Sequence, residues 1–346
     1  MHSFSSRLLS WFEQNGRKDL PWQQQLTPYR VWVSEIMLQQ TQVKTVIPYF
    51  QRFMRSFPDI TSLAQAELDQ VLHHWSGLGY YARGRNLHKT AKLVCHEFAG
   101  EFPEDIESIM DLPGIGRSTA GAILSLACNQ RQPILDGNVK RVLCRHRAIE
   151  GWPGASATQK ILWSVAEELT PTKNVAAYTQ SIMDLGATVC TRSRPQCGSC
   201  PVEVDCAARA QGRVSEFPFS KKRKPLPVKH SIMLMLRNEQ QALLLLKRPP
   251  VGIWGGLWSF PEAPLDVELV DWCENELGLR ISVEQVHPVI RHTFSHFHLD
   301  IKPIQGTANS IMNRVLEPGA TVWYNTGQPE ALGLAAPVQK LMNMLV

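Results

Sequence analysis

Two carboxylates, four clustered cysteines and one glycine-bracketed turn are the features of this 346-residue chain that could carry chemistry. Glu35 falls within residues 28–40, where a helical turn of 100° per residue sets it between Val31 and Trp32, with Leu38 one turn on. A helix there would turn its carboxylate toward an apolar stripe. Burial of that kind raises a glutamate from a reference of about 4.3 toward the range of about 6 to 7 that suits a general acid at neutral pH. A position at the edge of the stripe, reaching water, is the alternative. Asp136 follows the apolar run Pro133-Ile134-Leu135 and precedes a helical pattern from Gly137 through Asn138 to Val142. That setting fits a plain helix N-cap as well as a second functional acid. Twenty residues before it, Leu112-Pro113-Gly114-Ile115-Gly116 leads into the apolar-patterned stretch Arg117-Ser118-Thr119-Ala120. A helix-hairpin-helix of this form lets backbone approach an anion closely while free amides of the next helix point at it, which suits one DNA phosphate. A ligand-free corner between two helices is the plainer reading.

Cys190, Cys197, Cys200 and Cys206 give the spacing C-x6-C-x2-C-x5-C within residues 190–206, close enough for four thiolates to converge on one metal centre. Spacing alone ranks zinc ahead of iron and sulfur, because four-cysteine zinc sites are common and short loops serve both. Cys95, Cys128, Cys144 and Cys273 are scattered through apolar surroundings and read as buried, inert thiols. A disulfide framework does not suit a chain of this length without an export signal.

The elements that must position these residues fall into two halves. With 44% apolar and 19% charged residues the chain has ordinary globular composition and length for two cores, which excludes disordered and fibrous classes. No run of 18 apolar residues occurs, and Arg7, Arg17 and Lys18 interrupt the N-terminus, so neither a membrane span nor a secretory signal is visible and a cytoplasmic protein is expected. The net charge of +5 is matched by residues 212–230 alone, where six Lys or Arg face Glu216. Such a balance permits a nucleic-acid partner without arguing for one. Helical punctuation dominates to about residue 210, with Thr27-Pro28 reading as N-cap and first-turn proline. Residues 213–230 are basic, carry prolines and show neither helical nor strand period, which places a linker there. Beyond it, 231–236 and 242–246 read as a hairpin, 266–277 as a helix ending at Gly278, and 281–283 and 297–301 as strands. The expected organisation is a mainly α domain over 1–212, a linker over 213–230 and an α+β domain over 231–346.

The hairpin turn, the aspartate twenty residues downstream and the four-cysteine loop together resemble the helix-hairpin-helix DNA glycosylase superfamily, in its endonuclease III branch. Within that branch, Ser34-Glu35-Ile36-Met37-Leu38-Gln39-Gln40-Thr41-Gln42-Val43, Gly77-Leu78-Gly79-Tyr80-Tyr81 and Asp136-Gly137-Asn138-Val139 are similar to the MutY-type adenine DNA glycosylases. The resemblance spans nearly the whole chain. It implies a single 4Fe-4S cluster on the four loop cysteines, which reverses the zinc ranking. It implies duplex DNA with adenine opposite 8-oxoguanine or guanine as partner, and a monomer in the bacterial cytoplasm, at the nucleoid, with no membrane role. Glycosylase-lyases of the branch carry a nucleophilic lysine after the hairpin arginine, where this chain has Ser118, and serine cannot form a Schiff base with an opened sugar. Base excision leaving an abasic site and an intact strand is therefore expected, with Lys18 or Lys140 at most trapping aldehyde incidentally.

The resemblance further assigns Glu35 as the acid that protonates adenine, and Asp136, ionised beside Asn138, as the group that stabilises an oxocarbenium-like sugar. Gln40 and Tyr80 are expected to insert into the stack beside a flipped base, and Leu112, Gly114, Gly116 and Ser118 to meet the backbone. Arg192 and Arg194 either meet phosphates or are solvated charges. The second domain resembles a Nudix fold whose box opens with Gly256 and Glu262 and closes with Glu276-Leu277-Gly278, but Asp271, Trp272 and Asn275 replace the Arg, Glu and Glu that magnesium chemistry needs. Recognition of the opposite 8-oxoguanine through the strand-edge segment Thr293-Phe294-Ser295-His296-Phe297-His298, and by Ser295 and His296 in particular, is implied instead. Three rivals remain: a glycosylase-lyase for oxidised pyrimidines, a non-catalytic DNA-binding sensor built on the cluster, and a nucleotide hydrolase.

Overall fold

The computed structural model describes residues 3–221, 225–310, 319–327 and 331–345. Packing divides the chain into two compact units, Met1–Gln65 with Asn86–Arg223, and Ala66–Arg85 with Lys224–Val346. In chain order the helices are α1 (Phe4–Asn15), α2 (Pro28–Leu38), α3 (Val43–Ser56), α4 (Ile60–Gln65), α5 (Leu68–Trp75), α6 (Ala82–Glu97), α7 (Ile106–Asp111), α8 (Arg117–Cys128), α9 (Gly137–His146), α10 (Ser156–Leu169), α11 (Val175–Asp184), α12 (Ala207–Ala210), α13 (Leu269–Trp272) and α14 (Ala336–Leu345).

In the first unit α2 starts as its sequence dictates. Thr27 is extended and its hydroxyl accepts the Arg30 amide at 3.2 Å, and Pro28 costs nothing where no intrahelical donor is needed. Nearly the whole circumference of α2 is buried, with Tyr29, Val31, Trp32, Val33, Ile36 and Met37 packed between α3 and α8. The helix ends at Leu38, two residues earlier than its pattern suggests, because Gln40 takes φ +57° and leaves the helical path. Asp136 caps α9, and α11 runs on through a π turn, Leu185–Val189, to Cys190.

The second unit is built on one sheet: β1 (Val228–Arg237), β2 (Leu243–Lys247), β3 (Trp258–Ser259), β4 (Glu262–Ala263), β5 (Leu279–Val286), β6 (Ile290–Thr293), β7 (His298–Ser310) and β8 (Thr321–Tyr324). The order is β3-β2-β1-β7-β5, with β4 also on β1, β6 on β7 and β8 on β2. Parallel pairing of β1 with β7 runs from Val228↔His298 to Arg237↔Thr307, and the expected hairpin closes at Arg237↔Leu243. Leu234, Leu236, Leu244, Cys273, Leu279 and Ile304 form part of its core.

Three expectations change here. Strand β1 begins at Val228, within the stretch read as linker, because its first three residues pair their backbone with β7 while their side chains stay exposed and so leave no apolar signal. Lys222, Arg223 and Lys224 of that stretch lie outside the described residues. The helix expected over 266–277 is the short α13, started by a Glu268 side chain that accepts the Asp271 amide at 2.9 Å, followed by a π turn Cys273–Leu277 that stops at Gly278 (φ +65°). Cys144 and Cys273 are buried, but Cys95 and Cys128 are only half-buried, since each lies near the end of its helix. Among the described residues no helix is long and apolar enough to cross a membrane.

Candidate active site and cysteine loop

A cavity of about 530 Å³ opens in the first unit, and both carboxylates line it. α2 delivers Glu35, and the N-cap of α9 delivers Asp136, so two helices that the sequence specifies locally bring together acids 101 positions apart. Loss of water around Glu35, helped by the charge of Asp136, pushes its carboxyl up to about 8, above the range expected from burial on one face of a helix. The second acid, whose proximity no local pattern announces, accounts for part of that rise. Burial also raises Asp136, which the resemblance casts as ionised beside Asn138, but four influences oppose the rise. Its Oδ1 accepts the Val139 amide at 2.8 Å and its Oδ2 faces Asn138 Nδ2 at 3.3 Å, while the Asn138 amide and the positive charge of Arg141 also favour ionisation. The two environments thus differ in kind: burial and the charge of Asp136 hold the proton on Glu35, whereas hydrogen bonds and the Arg141 charge favour the ionised form of Asp136 against its burial.

Asn138 is fixed by Arg141, whose Nη2 donates to Asn138 Oδ1 at 2.7 Å and to the Gly186 carbonyl at 2.6 Å, and whose Nε donates to the Cys190 carbonyl at 2.7 Å. A guanidinium only donates, so the Asn138 oxygen faces it and the Nδ2 must face Asp136. Gly186 permits this approach: a Cβ there would stand 2.6 Å from Asn138 Cβ. Arg141 escaped the sequence reading, as did Trp22, Gln180 and the buried Asp184, because their roles depend on partners far along the chain. Arg17 and Arg192 line the cavity, whereas Lys18 and Lys140 are not among its lining residues.

The hairpin takes the expected form, α7, a turn over 112–116, then α8. Gly114 adopts φ +82°, and a Cβ there would press on Asn86 at 2.9 Å. Gly116 sits at φ −94° with open space around a notional Cβ, and as N-cap of α8 it supplies no side-chain acceptor to the first-turn amides. Leu112 is buried, so only its backbone can face a partner. The half-buried Ser118 Oγ accepts the Leu135 amide at 2.9 Å, tying α8 to the residue before Asp136.

The four loop cysteines line one small recess together with Arg145, Glu203 and Arg209. The buried Arg145 guanidinium lies 3.4 Å from Cys190 Sγ and donates to the Thr191 carbonyl at 2.7 Å. Burial, with Cys190, Cys206 and Cys197 all within electrostatic reach, pushes the Cys200 thiol up to about 11. Four soft sulfur donors converging beside a buried cation fit a group held by thiolates. No set of three or more His, Cys, Asp or Glu among the described residues closes around a single-ion site.

In the second unit a cavity of about 680 Å³ gathers Tyr80, Trp254, His292, Phe294, Ser295 and His296. The segment expected at a strand edge is instead the turn between β6 and β7, closed by the Phe294 amide on the Phe297 carbonyl at 2.9 Å, which leaves Ser295 and His296 exposed. Tyr80 is half exposed at φ +49° and shares this cavity. Gln40 belongs to the first unit and is exposed. Of the residues fitting a Nudix box, Glu262 is taken by an ion pair with Arg248.

A helical unit with this hairpin and acid pair, followed by a Nudix-like α+β unit, defines a base-excision repair glycosylase class. Residues 33–168 match the HhH-GPD superfamily of base excision DNA repair proteins, and residues 232–344 match the NUDIX domain. The chain is 42% identical to the adenine DNA glycosylase of Buchnera aphidicola from Acyrthosiphon pisum, covering 98% of this chain and 96% of that one. It is 36% identical to the Mus musculus adenine DNA glycosylase over 92% of this chain and 73% of that protein. Among solved structures it is similar to a thermostable thymine-DNA glycosylase, with 25% identity, a TM-score of 0.53, and coverage of 60% of this chain and 95% of that one. The chain belongs to the adenine DNA glycosylase family.

Proposed function

We propose that the chain is a monofunctional DNA glycosylase that hydrolyses the N-glycosidic bond of adenine mispaired with 8-oxoguanine or guanine. The observation that carries this reading is the acid pair in one cavity, Glu35 held protonated to about pH 8 while Asp136 is kept ionisable by amides, Asn138 and Arg141. A base stacked in duplex DNA is out of reach, so the adenine is flipped into the cavity. Glu35 gives its proton to a ring nitrogen, which makes adenine a competent leaving group. Departure leaves positive charge on the sugar, and Asp136 stabilises it in the manner of the second carboxylate of a retaining glycosidase. The ionised Glu35 that remains accepts a proton from the attacking water.

The Ser118 hydroxyl, committed to the Leu135 amide, offers no amine for lyase chemistry. Cys190, Cys197, Cys200 and Cys206 would hold one 4Fe-4S cluster, which shapes the loop carrying Arg192 and supplies no electrons to a hydrolysis. The turn over 112–116 and the uncapped amides of α8 would take a phosphate, and Gln40 would enter the stack. Tyr80, Ser295 and His296 would face the base opposite adenine from the second cavity. The protein would act as a monomer in the bacterial cytoplasm on nucleoid DNA.

The decisive assay is single-turnover cleavage of a duplex with adenine opposite 8-oxoguanine, comparing wild type with Glu35→Gln. Wild type should release adenine and leave an alkali-labile, intact strand, while Glu35→Gln should keep binding and lose at least about 10²-fold in rate, the scale of general acid catalysis. Strand cleavage without alkali would establish the lyase reading, and full activity without Glu35 would remove the acid assignment.

A further inference from the structure

One wall of the second cavity is a tryptophan held in a backbone conformation that its side chain disfavours. Trp254 is buried at φ +53°, the left-handed region that a bulky residue rarely enters, and it lines the cavity beside Phe294, Ser295 and His296. Its ring stands 5.1 Å from Phe294 and 5.3 Å from His292, and Phe294 in turn stacks on Phe297 at 4.6 Å. The turn between β6 and β7 thus rests on Trp254. Backbone pairing closes the base of the loop that bears this residue, with the Arg248 amide on the Leu257 carbonyl at 2.8 Å and the Gly256 amide on the Pro249 carbonyl at 3.0 Å. Inside the loop one side chain takes over. Arg248 Nε donates to the Ile253 carbonyl at 3.1 Å, and its guanidinium lies 5.7 Å from the centre of the Trp254 ring.

A guanidinium drawn this far from water needs a counterion, and Glu262 supplies it. Its Oε1 pairs with Arg248 Nη1 and accepts the hydroxyl of the buried Ser259 at 3.4 Å, and both members of the ion pair are largely withdrawn from solvent. Removing one partner of such a pair leaves the other charge uncompensated, and the arginine then gains by swinging out to water. We propose that Glu262 is a positioning residue for recognition of the base opposite adenine: it retains Arg248, Arg248 holds the Ile253–Trp254 peptide, and Trp254 sets the turn that presents Ser295 and His296. This rests on the reading that the second cavity meets that base, and deepens it. Glu262 fits the opening of a Nudix box whose Arg, Glu and Glu are replaced by Asp271, Trp272 and Asn275, and in this chain its carboxylate is turned on Arg248. Support of this kind matters for the discrimination required. 8-Oxoguanine differs from guanine only by an oxygen at position eight and a hydrogen on the adjacent nitrogen, and Ser295 and His296 are exposed, so polar groups on the turn separate the two bases only where the turn is held in place.

The test is the ratio of second-order excision rates for adenine opposite 8-oxoguanine and adenine opposite guanine, measured on the full chain. Glu262→Gln keeps the shape of the side chain and removes its charge, and it should lower that ratio about tenfold, the scale of one hydrogen bond to the base. Trp254→Leu should lower it by a similar factor, and adding Glu262→Gln to it should lower it no further. An equal second fall would show that Glu262 acts by another route and overturn the proposal. Leu279→Ala separates positioning from general loosening, because Leu279 belongs to the core of the same unit and pairs with the end of β7 remote from the turn. It should lower the unfolding temperature and leave the ratio at its wild-type value. An unchanged ratio in Glu262→Gln, or an equal fall in Leu279→Ala, overturns the proposal. Should Glu262→Gln fail to fold, Arg248→Lys decides: lysine keeps a cation beside Glu262 but has no Nε donor for the Ile253 carbonyl, and an unchanged ratio there overturns the proposal as well. Ser295→Ala combined with His296→Ala tests the reading beneath it. A ratio that survives that change means that the second cavity does not meet the opposite base, which defeats the reading itself and the positioning role with it.

Discussion

At the scale of single residues, the acid pair predicts a pH profile. Glu35 is active when protonated and its proton is held to about 8, so excision should decline as pH rises through about 8 with a slope approaching one decade per pH unit. The same raised value means that whatever stability Glu35 contributes is complete at pH below its unfolded value of about 4.3 and is lost as pH rises through the folded value. On the acid side the rate follows Asp136, which must be ionised. Asn138 and Arg141 both hold it toward the charged form, so Asn138→Ala should move the acid limb of kcat/KM to higher pH while the alkaline limb stays in place. Rates across pH 4–9 test this, and an unmoved acid limb would show that Asn138 does not tune Asp136. Both acids were legible in the sequence, Glu35 from the apolar period of α2 and Asp136 from its place before a helix. Their mutual effect was not, because a charge 101 positions away leaves no local pattern.

Among the elements, the junction between α9 and the π turn after α11 holds the site to the cysteine loop. Gly186 lies at this junction with no room for a side chain, because a Cβ would meet Asn138 at 2.6 Å and its backbone at 3.0 Å. Gly186→Ala must therefore force α9 and the π turn apart, at a cost of about 1–3 kcal/mol for an overpacked contact. It should also lower excision more than it lowers DNA affinity, since Asn138 moves while the hairpin turn over 112–116 does not. Thermal unfolding together with binding and single-turnover rates measures both effects, and loss of affinity alone would mean the glycine serves the DNA surface instead. Caps were the readable part of these elements: Thr27, Asp136 and Gly278 stand where their chemistry places them. The π turns and the early end of α2 were not readable, because tertiary contacts rather than propensity decide them.

For the whole molecule, the chain is not partitioned as its composition suggests. A basic, proline-bearing stretch near residue 220 reads as the boundary, yet residues 66–85 pack with the C-terminal segment. Lys247 Nζ reaches Asp69 at 2.9 Å, Arg85 Nη1 donates to the Gly255 carbonyl at 2.6 Å, and the Tyr81 hydroxyl meets the Leu334 carbonyl at 3.3 Å. Leu72 completes the packing, close enough to Gly333 that a Cβ there would lie 2.6 Å from it. No sequence period announces pairings between residues 170 or more positions apart, which is why composition put the boundary in one place and contacts put it in three. A chain cut after residue 223 should therefore not behave as a clean domain deletion. It leaves Leu72 without its cover and removes every partner of Asp69, Tyr81 and Arg85 named above, and it dismantles the cavity that Tyr80 shares with Ser295 and His296. Residues 66–85 should become the first site of limited proteolysis in the truncated chain, and its unfolding temperature should fall below that of the full chain. Adenine release should survive where the fragment stays folded, because every residue lining the acid cavity lies within 17–192, outside 66–85. Protection of 66–85 in the fragment equal to that in the full chain would mean that these contacts contribute no order to the segment, and the chain would then divide where its composition does.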